Sequence, residues 1–173
     1  MKKYIILLRG INVSGKNKIQ MEALRGLLKE LNFTNVHTYI QSGNIVLDSE
    51  ETASVVCQKI RKGIQDTFGI EVPILARTVA QWSQLVENYP FSLENEKIVA
   101  FTFLNATSKE TNIAIQSLGE DQYKINGDIL YLHCPTGFAR TKLTNTRIEK
   151  KLNVIATTRN LRTTLKLLEL ATL

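Results

Sequence analysis

The chain has 173 residues, of which 43% are hydrophobic and 22% charged, so it can bury a core without help from disulfides or metals. Its formal net charge of +6 favours anionic partners such as phosphate, nucleotide or nucleic acid. The only two cysteines, Cys57 and Cys134, lie outside any C-x-x-C motif, which argues against a disulfide framework and a structural zinc site.

The first apolar run is too short for a targeting or membrane segment. It covers Tyr4–Leu8 and ends at Arg9, whereas a secretory signal needs roughly 7–15 apolar residues and a membrane span about 20. We therefore expect a cytoplasmic protein without a membrane partner.

The first half predicts the element order βαββαβ. Its periodic and β-rich runs predict a strand at Tyr4–Arg9, a helix over Met21–Leu31, strands at Val36–Gln41 and Asn44–Asp48, a helix over Val56–Phe68 and a strand at Val72–Arg77. This is the ferredoxin-like arrangement with strand order 4-1-3-2. Pro73 cannot donate a ladder hydrogen bond, and it therefore places the fourth strand at a sheet edge.

The second half repeats this order after a helix around Trp82 that Pro90 ends. Its runs predict a strand at Lys97–Leu104, a helix over Lys109–Leu118, a hairpin of Tyr123–Ile125 and Asp128–His133, a helix over Leu143–Leu152, a strand at Val154–Thr158 and a closing helix over Leu161–Leu168. We predict an α+β fold of duplicated ferredoxin-like βαββαβ units with antiparallel sheets and an extra helix after each. The expected domains are residues 1–90 and 97–173, joined by a linker at 91–96.

The loop after the first strand fits G-x-x-x-x-G-K, the core of a phosphate-binding P-loop. Three features oppose nucleotide hydrolysis there. Asn17 replaces the hydroxyl residue that would bind Mg²⁺, the next helix begins only near Gln20–Met21, and the predicted sheet is antiparallel. We expect no metal and no cofactor.

The same loop is nonetheless unusually polar, with two glycines that can turn backbone amides toward one point. This composition predicts an anion nest. In the 4-1-3-2 order the start of the third strand adjoins the end of the first, so the candidate ligand-binding residues are Arg9, Gly10, Asn12, Lys16, Lys18, Ser42 and Asn44. The alternative is a solvated connection whose Asn and Gly residues only form turns.

Long motifs at both ends of the chain resemble one family. Leu7–Val13, Gly15–Ile19 and Tyr39–Asn44 are similar to the first signature of the uncharacterised bacterial family called domain of unknown function 1697, and Arg140–Asn145 and Thr158–Asn160 to its second. The resemblance implies a duplicated ferredoxin-like fold, and it brings no activity with it because the family has none established. The chain departs from the pattern at Ser14, where a second glycine is expected, and at Leu161, where an aromatic residue is expected.

The second signature contributes the remaining candidate site residues, and the sequence leaves open whether they meet the loop after the first strand. They are Arg140, Lys142, Asn145, Arg159 and Asn160. Arg147, Lys150 and Lys151 extend this basic segment, either as a phosphate-tracking surface or as an ordinary solvated helix face. His133 and Cys134 point to opposite faces of an extended chain, so we do not expect a catalytic dyad.

Three hypotheses follow. The first is a protein that binds a small anionic or phosphorylated ligand at the loop after the first strand. The second is a nucleic-acid-binding module that uses the basic segment of the second half, with Phe101 and Phe103 as its stacking platform. The third is an interaction scaffold without a ligand. Burial of both phenylalanines would remove that platform. The sequence determines neither the oligomeric state nor whether the protein is an enzyme.

Overall fold

A computed structural model describes residues 1–173, which divide into two compact units. Unit 1 comprises Met1–Gln84 and Lys166–Leu173, and unit 2 comprises Leu85–Leu165. The strands are β1 Lys2–Leu8, β2 Thr34–Tyr39, β3 Asn44–Ser49, β4 Ile74–Thr78, β5 Val99–Leu104, β6 Gln122–Asn126, β7 Ile129–His133 and β8 Ala156–Asn160. The α-helices are α1 Met21–Glu30, α2 Ala53–Phe68, α3 Val79–Glu87, α4 Asn145–Leu152 and α5 Leu161–Thr172, with a 3-10 turn at Glu96–Ile98.

The sheet of unit 1 has the strand order β2-β3-β1-β4, with every pair antiparallel. This confirms the predicted order 4-1-3-2. Strand β4 is an edge, and Pro73 lies immediately before it, where its carbonyl accepts a hydrogen bond from the backbone nitrogen of Arg9 at 2.9 Å. The proline therefore occupies a place where its missing N–H removes no ladder hydrogen bond.

Helices α1 and α2 bury their apolar stripes on one face of this sheet. Leu24, Leu28, Ile60 and Ile64 are fully buried there, together with Tyr4 of β1. Helix α2 begins at the cap Thr52, whose hydroxyl accepts from the backbone of Val55, and it ends at a left-handed Gly69.

The sheet of unit 2 has the same order, β6-β7-β5-β8, and is also antiparallel throughout. Helix α4 covers one face, on which Leu104, Leu130, Leu132 and Ile148 form an apolar cluster. The predicted hairpin of β6 and β7 forms, but its two turn residues are Gly127 and Asp128 rather than Asn126 and Gly127, because Asn126 pairs with Ile129 as the last residue of β6. The α+β fold of duplicated ferredoxin-like units is thus confirmed.

One predicted helix of unit 2 is wrong: residues 109–118 form an irregular connection between β5 and β6. The carboxamide oxygen of Asn112 accepts from the backbone of Ala114 at 2.8 Å and from the hydroxyl of Tyr123 at 2.8 Å. Such local bonds compete with helix formation. Positive φ angles at Ala114 and Ser117 also break the helical path. Ile113 is buried in the core cluster, and Ile115 and Leu118 pack against it.

The edge strands β4 and β8 have equivalent hydrogen bonds, as expected for a duplication. The guanidinium of Arg77 in β4 donates to the carbonyl of Ala76, and that of Arg159 in β8 donates to the carbonyl of Thr158, both at 3.0 Å. Each strand then ends on a residue that caps the following helix. The hydroxyl of Thr78 accepts from the backbone nitrogen of Gln81, and the backbone nitrogen of Thr78 donates to the carboxamide oxygen of Gln81. The carboxamide oxygen of Asn160 accepts from the backbone nitrogen of Thr163 at 2.8 Å.

The predicted domain boundaries at 90 and 97 remain a prediction.

No helix of the chain is long and apolar enough to span a bilayer.

Candidate functional site

The loop after β1 forms a short rigid hairpin. Val13 and Lys16 make an isolated antiparallel bridge, in which the backbone nitrogen of Lys16 donates to the carbonyl of Val13 at 2.9 Å. The two turn residues, Ser14 and Gly15, both have positive φ angles, the geometry of a tight hairpin turn. Helix α1 begins only at Met21, so its positive end does not meet the Gly15-Lys16 step. The geometry agrees with the rejection of a P-loop.

Asn12 uses its side chain to hold this hairpin in place. Its carboxamide nitrogen donates to the carbonyls of Ile19 at 2.9 Å and Gln41 at 2.8 Å, and its oxygen accepts from the backbone nitrogen of Ile19 at 2.9 Å. Both amide hydrogens and one oxygen lone pair are therefore engaged within the protein. Asn12, which the sequence predicts as a ligand-binding residue, therefore has a structural role in holding the hairpin.

Asn44 is used in the same way at the β2–β3 turn. It is fully buried, and its carboxamide nitrogen donates to the carbonyl of Tyr39 at 3.0 Å and to the hydroxyl of Ser42 at 2.9 Å. Asn44 pairs with Leu7 across the sheet, and the carbonyl of Gly43 accepts from the nitrogen of Leu8 at 2.8 Å. The structure thus brings Ser42 and Asn44 to the end of β1, as the topology predicts.

The cations of the loop differ in exposure. Arg9 and Gly10 are half-buried beside the sheet, whereas Lys16 and Lys18 are exposed and have no carboxylate partner. Of the candidate residues in this loop, the two lysines retain side chains that a ligand can reach.

The basic segment of unit 2 borders an open pocket, which we call the basic pocket. Its volume is about 460 Å³, and it is lined by Ala114, Ile115, Gln116, Lys142, Arg147, Lys150 and Lys151. The four cations are exposed, and none forms a salt bridge. Lys142 precedes helix α4 and the other three lie on it, while the wall opposite is the irregular connection between β5 and β6.

Asn145 and Asn160, two further candidates, come together in a different pocket of unit 2, which we call the polar pocket. Its volume is about 380 Å³, and it is lined by Ala100, Leu132, Phe138, Thr141, Leu143, Thr144, Asn145, Thr158 and Asn160. No charged side chain lines it.

Two candidates from the second signature lie apart from both pockets. Arg159 is buried and points to the opposite face of β8 from its neighbours Thr158 and Asn160, because side chains alternate along a strand. Its guanidinium donates to the hydroxyl of Thr157 at 2.9 Å. Arg140 is exposed and lines neither pocket.

The aromatic residues of β5 and β7 are core residues. Phe101 and Phe103 are 0% exposed. Phe101 packs against Tyr89 and Tyr131 with ring centroids 5.3 and 5.8 Å apart. No base can stack on a ring with no accessible surface, so the nucleic-acid hypothesis loses its proposed platform.

Neither cysteine has the environment of a nucleophile. Burial raises the pKa of the Cys134 thiol to about 11, an effect that the hydrogen bond with Thr141 opposes. Burial also raises the pKa of Cys57. His133 lies by its ring nitrogen 3.4 Å from the hydroxyl of Tyr89, whereas Cys134 belongs to the apolar cluster beneath α4. The thiols stay protonated at neutral pH, which argues against a reactive thiolate.

Apart from Asn145 and Asn160, the residues that line the polar pocket were not predicted as site residues: Ala100, Leu132, Phe138, Thr141, Leu143, Thr144 and Thr158. Apolar and hydroxyl side chains carry no chemical signature of their own. A residue-by-residue alignment of the two repeats was the available signal, because Ala100 occupies the position that Tyr4 occupies in the first repeat.

The fold and these pockets define a duplicated ferredoxin-like α+β protein with a cationic surface pocket in its second unit. Comparison of sequences then gives the family. The model of DUF1697, described as a protein of unknown function, matches residues 1–131, and the chain belongs to this family. No curated protein matches the sequence.

A solved structure shares the fold. The conserved bacterial protein SP0830 from Streptococcus pneumoniae superposes with a TM-score of 0.72 over 98% of each chain, at 21% sequence identity. At this identity the likeness concerns the fold alone.

Proposed function

We propose that the protein binds a small anionic ligand, such as a phosphorylated metabolite, in the basic pocket of unit 2. One observation carries the proposal. Four cations, Lys142, Arg147, Lys150 and Lys151, border one open pocket that no carboxylate lines and no salt bridge neutralises. Unpaired like charges repel, and a bound phosphate relieves that repulsion.

Local helix energetics account for only part of this cluster. Lys150 and Lys151 lie in the last turn of α4, where cations stabilise the helix dipole. Arg147 lies in the first turn, where its charge opposes the dipole and costs roughly 0.3–1 kcal/mol. The position of Arg147 therefore has no explanation in helix stability, and an anion in the pocket supplies one.

The irregular connection between β5 and β6 supports the same proposal. Ala114, Ile115 and Gln116 form one wall of the pocket. These three side chains are uncharged, so the positive field of the pocket meets no compensating charge on this wall.

The loop after β1 remains a second candidate anion site through Lys16 and Lys18. Both ammonium groups are exposed without a carboxylate partner, which supports a contribution to binding. Asn12 and Asn44 contribute by fixing the loop, since their donors are used within the protein.

The test is a calorimetric titration of pyrophosphate at two salt concentrations into the protein and two variants. Arg147→Glu reverses a charge in the pocket, and Arg162→Glu makes the same change at an exposed residue outside it. We expect Arg147→Glu to weaken binding by about tenfold or more, because a charge-assisted hydrogen bond contributes roughly 1.5–3 kcal/mol. The control should retain most of its affinity.

Equal losses in both variants would show that net charge alone attracts the anion. Loss in Lys16→Ala and Lys18→Ala, with Arg147→Glu unaffected, would move the site to the loop after β1. A short single-stranded RNA serves as a further arm: if it binds and pyrophosphate does not, the nucleic-acid hypothesis replaces this one. If nothing binds, the scaffold hypothesis replaces it.

A further inference from the structure

The polar pocket of unit 2 lies where unit 1 is filled by a tyrosine. Tyr4 pairs with Leu47 on β3 and with Thr78 at the end of β4. Ala100 pairs with Leu132 on β7 and with Asn160 at the end of β8. Since the strand orders are the same, Ala100 is the structural counterpart of Tyr4.

The two counterparts leave different amounts of space. Tyr4 is 1% exposed, and its hydroxyl donates to the carbonyl of Glu51 at 2.8 Å, so its ring fills the space beside α2. The methyl group of Ala100 is equally buried but much smaller, and it lines the pocket of about 380 Å³. That volume lies within the ~300–1,000 Å³ range of small-molecule sites.

The surrounding face is also more polar in unit 2. Thr102 and Thr158 stand where unit 1 has Ile6 and Ala76, as the pairing shows. The hydroxyl of Thr102 lies 2.8 Å from that of Thr158, which in turn donates to the carboxamide oxygen of Asn145 at 2.6 Å. This chain of hydrogen bonds fixes the orientation of the side chains that it joins, which suits a binding site.

Both carboxamides that line the pocket are held by their oxygens. Asn145 accepts from Thr158, and Asn160 accepts from the backbone nitrogen of Thr163. Neither carboxamide nitrogen has a hydrogen-bond partner within the protein. The pocket thus presents two oriented N–H donors beside the apolar surfaces of Leu132, Leu143 and Phe138.

We propose that this pocket binds a small uncharged ring compound that carries acceptor oxygens along one edge. The acceptors pair with the nitrogens of Asn145 and Asn160, and the ring lies against Phe138. The absence of any charged lining residue selects against ionised ligands. Pyrimidine bases and sugars are both uncharged ring compounds that carry acceptor oxygens. The inference does not depend on the basic pocket.

The experiment is an NMR titration of the full chain with 1-methyluracil and, separately, with methyl glucoside. We expect amide shifts at Asn145 and Asn160 with one of the probes, and which probe binds distinguishes a base from a sugar. Ala100→Tyr introduces the residue that fills the counterpart position and should abolish these shifts while pyrophosphate binding is kept. Absence of shifts with both probes, or shifts that persist in Ala100→Tyr, overturns the proposal.

A second variant keeps the test valid if the tyrosine disturbs folding. Asn145→Asp retains the oxygen that accepts from Thr158 and removes the N–H donors, and an acid in the first turn of α4 favours the helix dipole. The matched control is Asn105→Asp, outside the pocket, whose carboxamide oxygen accepts from the backbone of Ile155 at 2.8 Å. We expect about tenfold weaker probe binding in Asn145→Asp and no change in the control. Equal affinities overturn the proposal.

Discussion

The two units share one sheet topology but use equivalent positions differently. In unit 1 the ring of Tyr4 is buried among Leu24, Ile60 and their neighbours. In unit 2 the counterpart Ala100 lines a pocket edged by hydroxyls and carboxamides. Strand order depends on the backbone ladder, which the two repeats have in common, whereas a cavity depends on one side-chain volume. The same topology therefore holds a filled core in one unit and a pocket at the equivalent position in the other.

The polar segments differ in the same way. In the loop after β1 the asparagines bond to the loop's own backbone and to the neighbouring turn. In the segment around α4, the cations Lys142, Arg147, Lys150 and Lys151 remain without salt bridges. Polar side chains thus stabilise the fold where their hydrogen-bond partners lie within the chain. Where charged side chains have no ion-pair partner in the chain, they form a candidate binding surface.

The largest expected effect comes from emptying the filled position. Tyr4→Ala should destabilise the protein by about 3–5 kcal/mol, because a buried aromatic side chain is lost and a cavity remains. Tyr4→Phe, the control, should cost only about 1 kcal/mol for the hydrogen bond to the carbonyl of Glu51. Urea unfolding measures both. A loss below about 1 kcal/mol for Tyr4→Ala would contradict the filled-core interpretation.

The next largest effect is expected at the two hairpin glycines, Gly43 and Gly127, whose replacement by alanine should destabilise the protein to different extents. At Gly43 a Cβ would lie 2.6 Å from the Cβ of Leu8 and 2.9 Å from Ile11, and its φ is +81°. At Gly127 the φ is +63° and nothing lies within 4 Å. We expect Gly43→Ala to cost roughly 2–4 kcal/mol and Gly127→Ala about 1 kcal/mol, the latter from backbone strain alone. Similar unfolding midpoints for the two variants would refute the difference in packing.

Asn12→Ala should cost about 2 kcal/mol. It removes the three hydrogen bonds that fix the hairpin to Ile19 and Gln41, and it places an alanine at a φ of 52°. Lys18→Ala, in the same exposed loop, should stay within about 0.5 kcal/mol. Thermal unfolding compares the two. Equal stabilities would return Asn12 to the set of residues free for a ligand.

The smallest expected effect concerns alkaline pH. Folding raises the pKa of Cys134 from 9.0 to about 11, so the folded state holds this proton more tightly than the unfolded chain does. The corresponding stability is fully present below pH 9.0 and is lost as the pH rises toward 11. Burial raises the pKa of Tyr131 and acts in the same direction. The free energy of unfolding, measured in urea, should be lower at pH 10.5 than at pH 8. Cys134→Ala should reduce this dependence on pH, and an unchanged dependence in the variant would contradict the role of Cys134.

Much of the fold follows from local pattern. The edge position of β4 was predicted correctly from Pro73, although that residue lies just before the strand. The β6–β7 hairpin was predicted from Asn126-Gly127, and it forms with its turn one residue later, at Gly127 and Asp128. The late start of α1 is also correct. The predicted helix over 109–118 does not form, because the side chain of Asn112 bonds to the backbone of Ala114 and to the hydroxyl of Tyr123. The spacing of apolar residues in the sequence contains no information about these contacts.

The sequence by itself determined the duplicated sheet order, the family and a surplus of cations, because strand periodicity, turn residues and charge are encoded within short segments. Only the tertiary structure decided how the polar residues are used. Asn12 is engaged by Gln41, 29 positions away, and Ala100 lines a pocket because of its neighbours on β7, β8 and α4. A hydrogen-bond partner or an empty volume depends on chain segments far apart in sequence, and no local pattern contains that information.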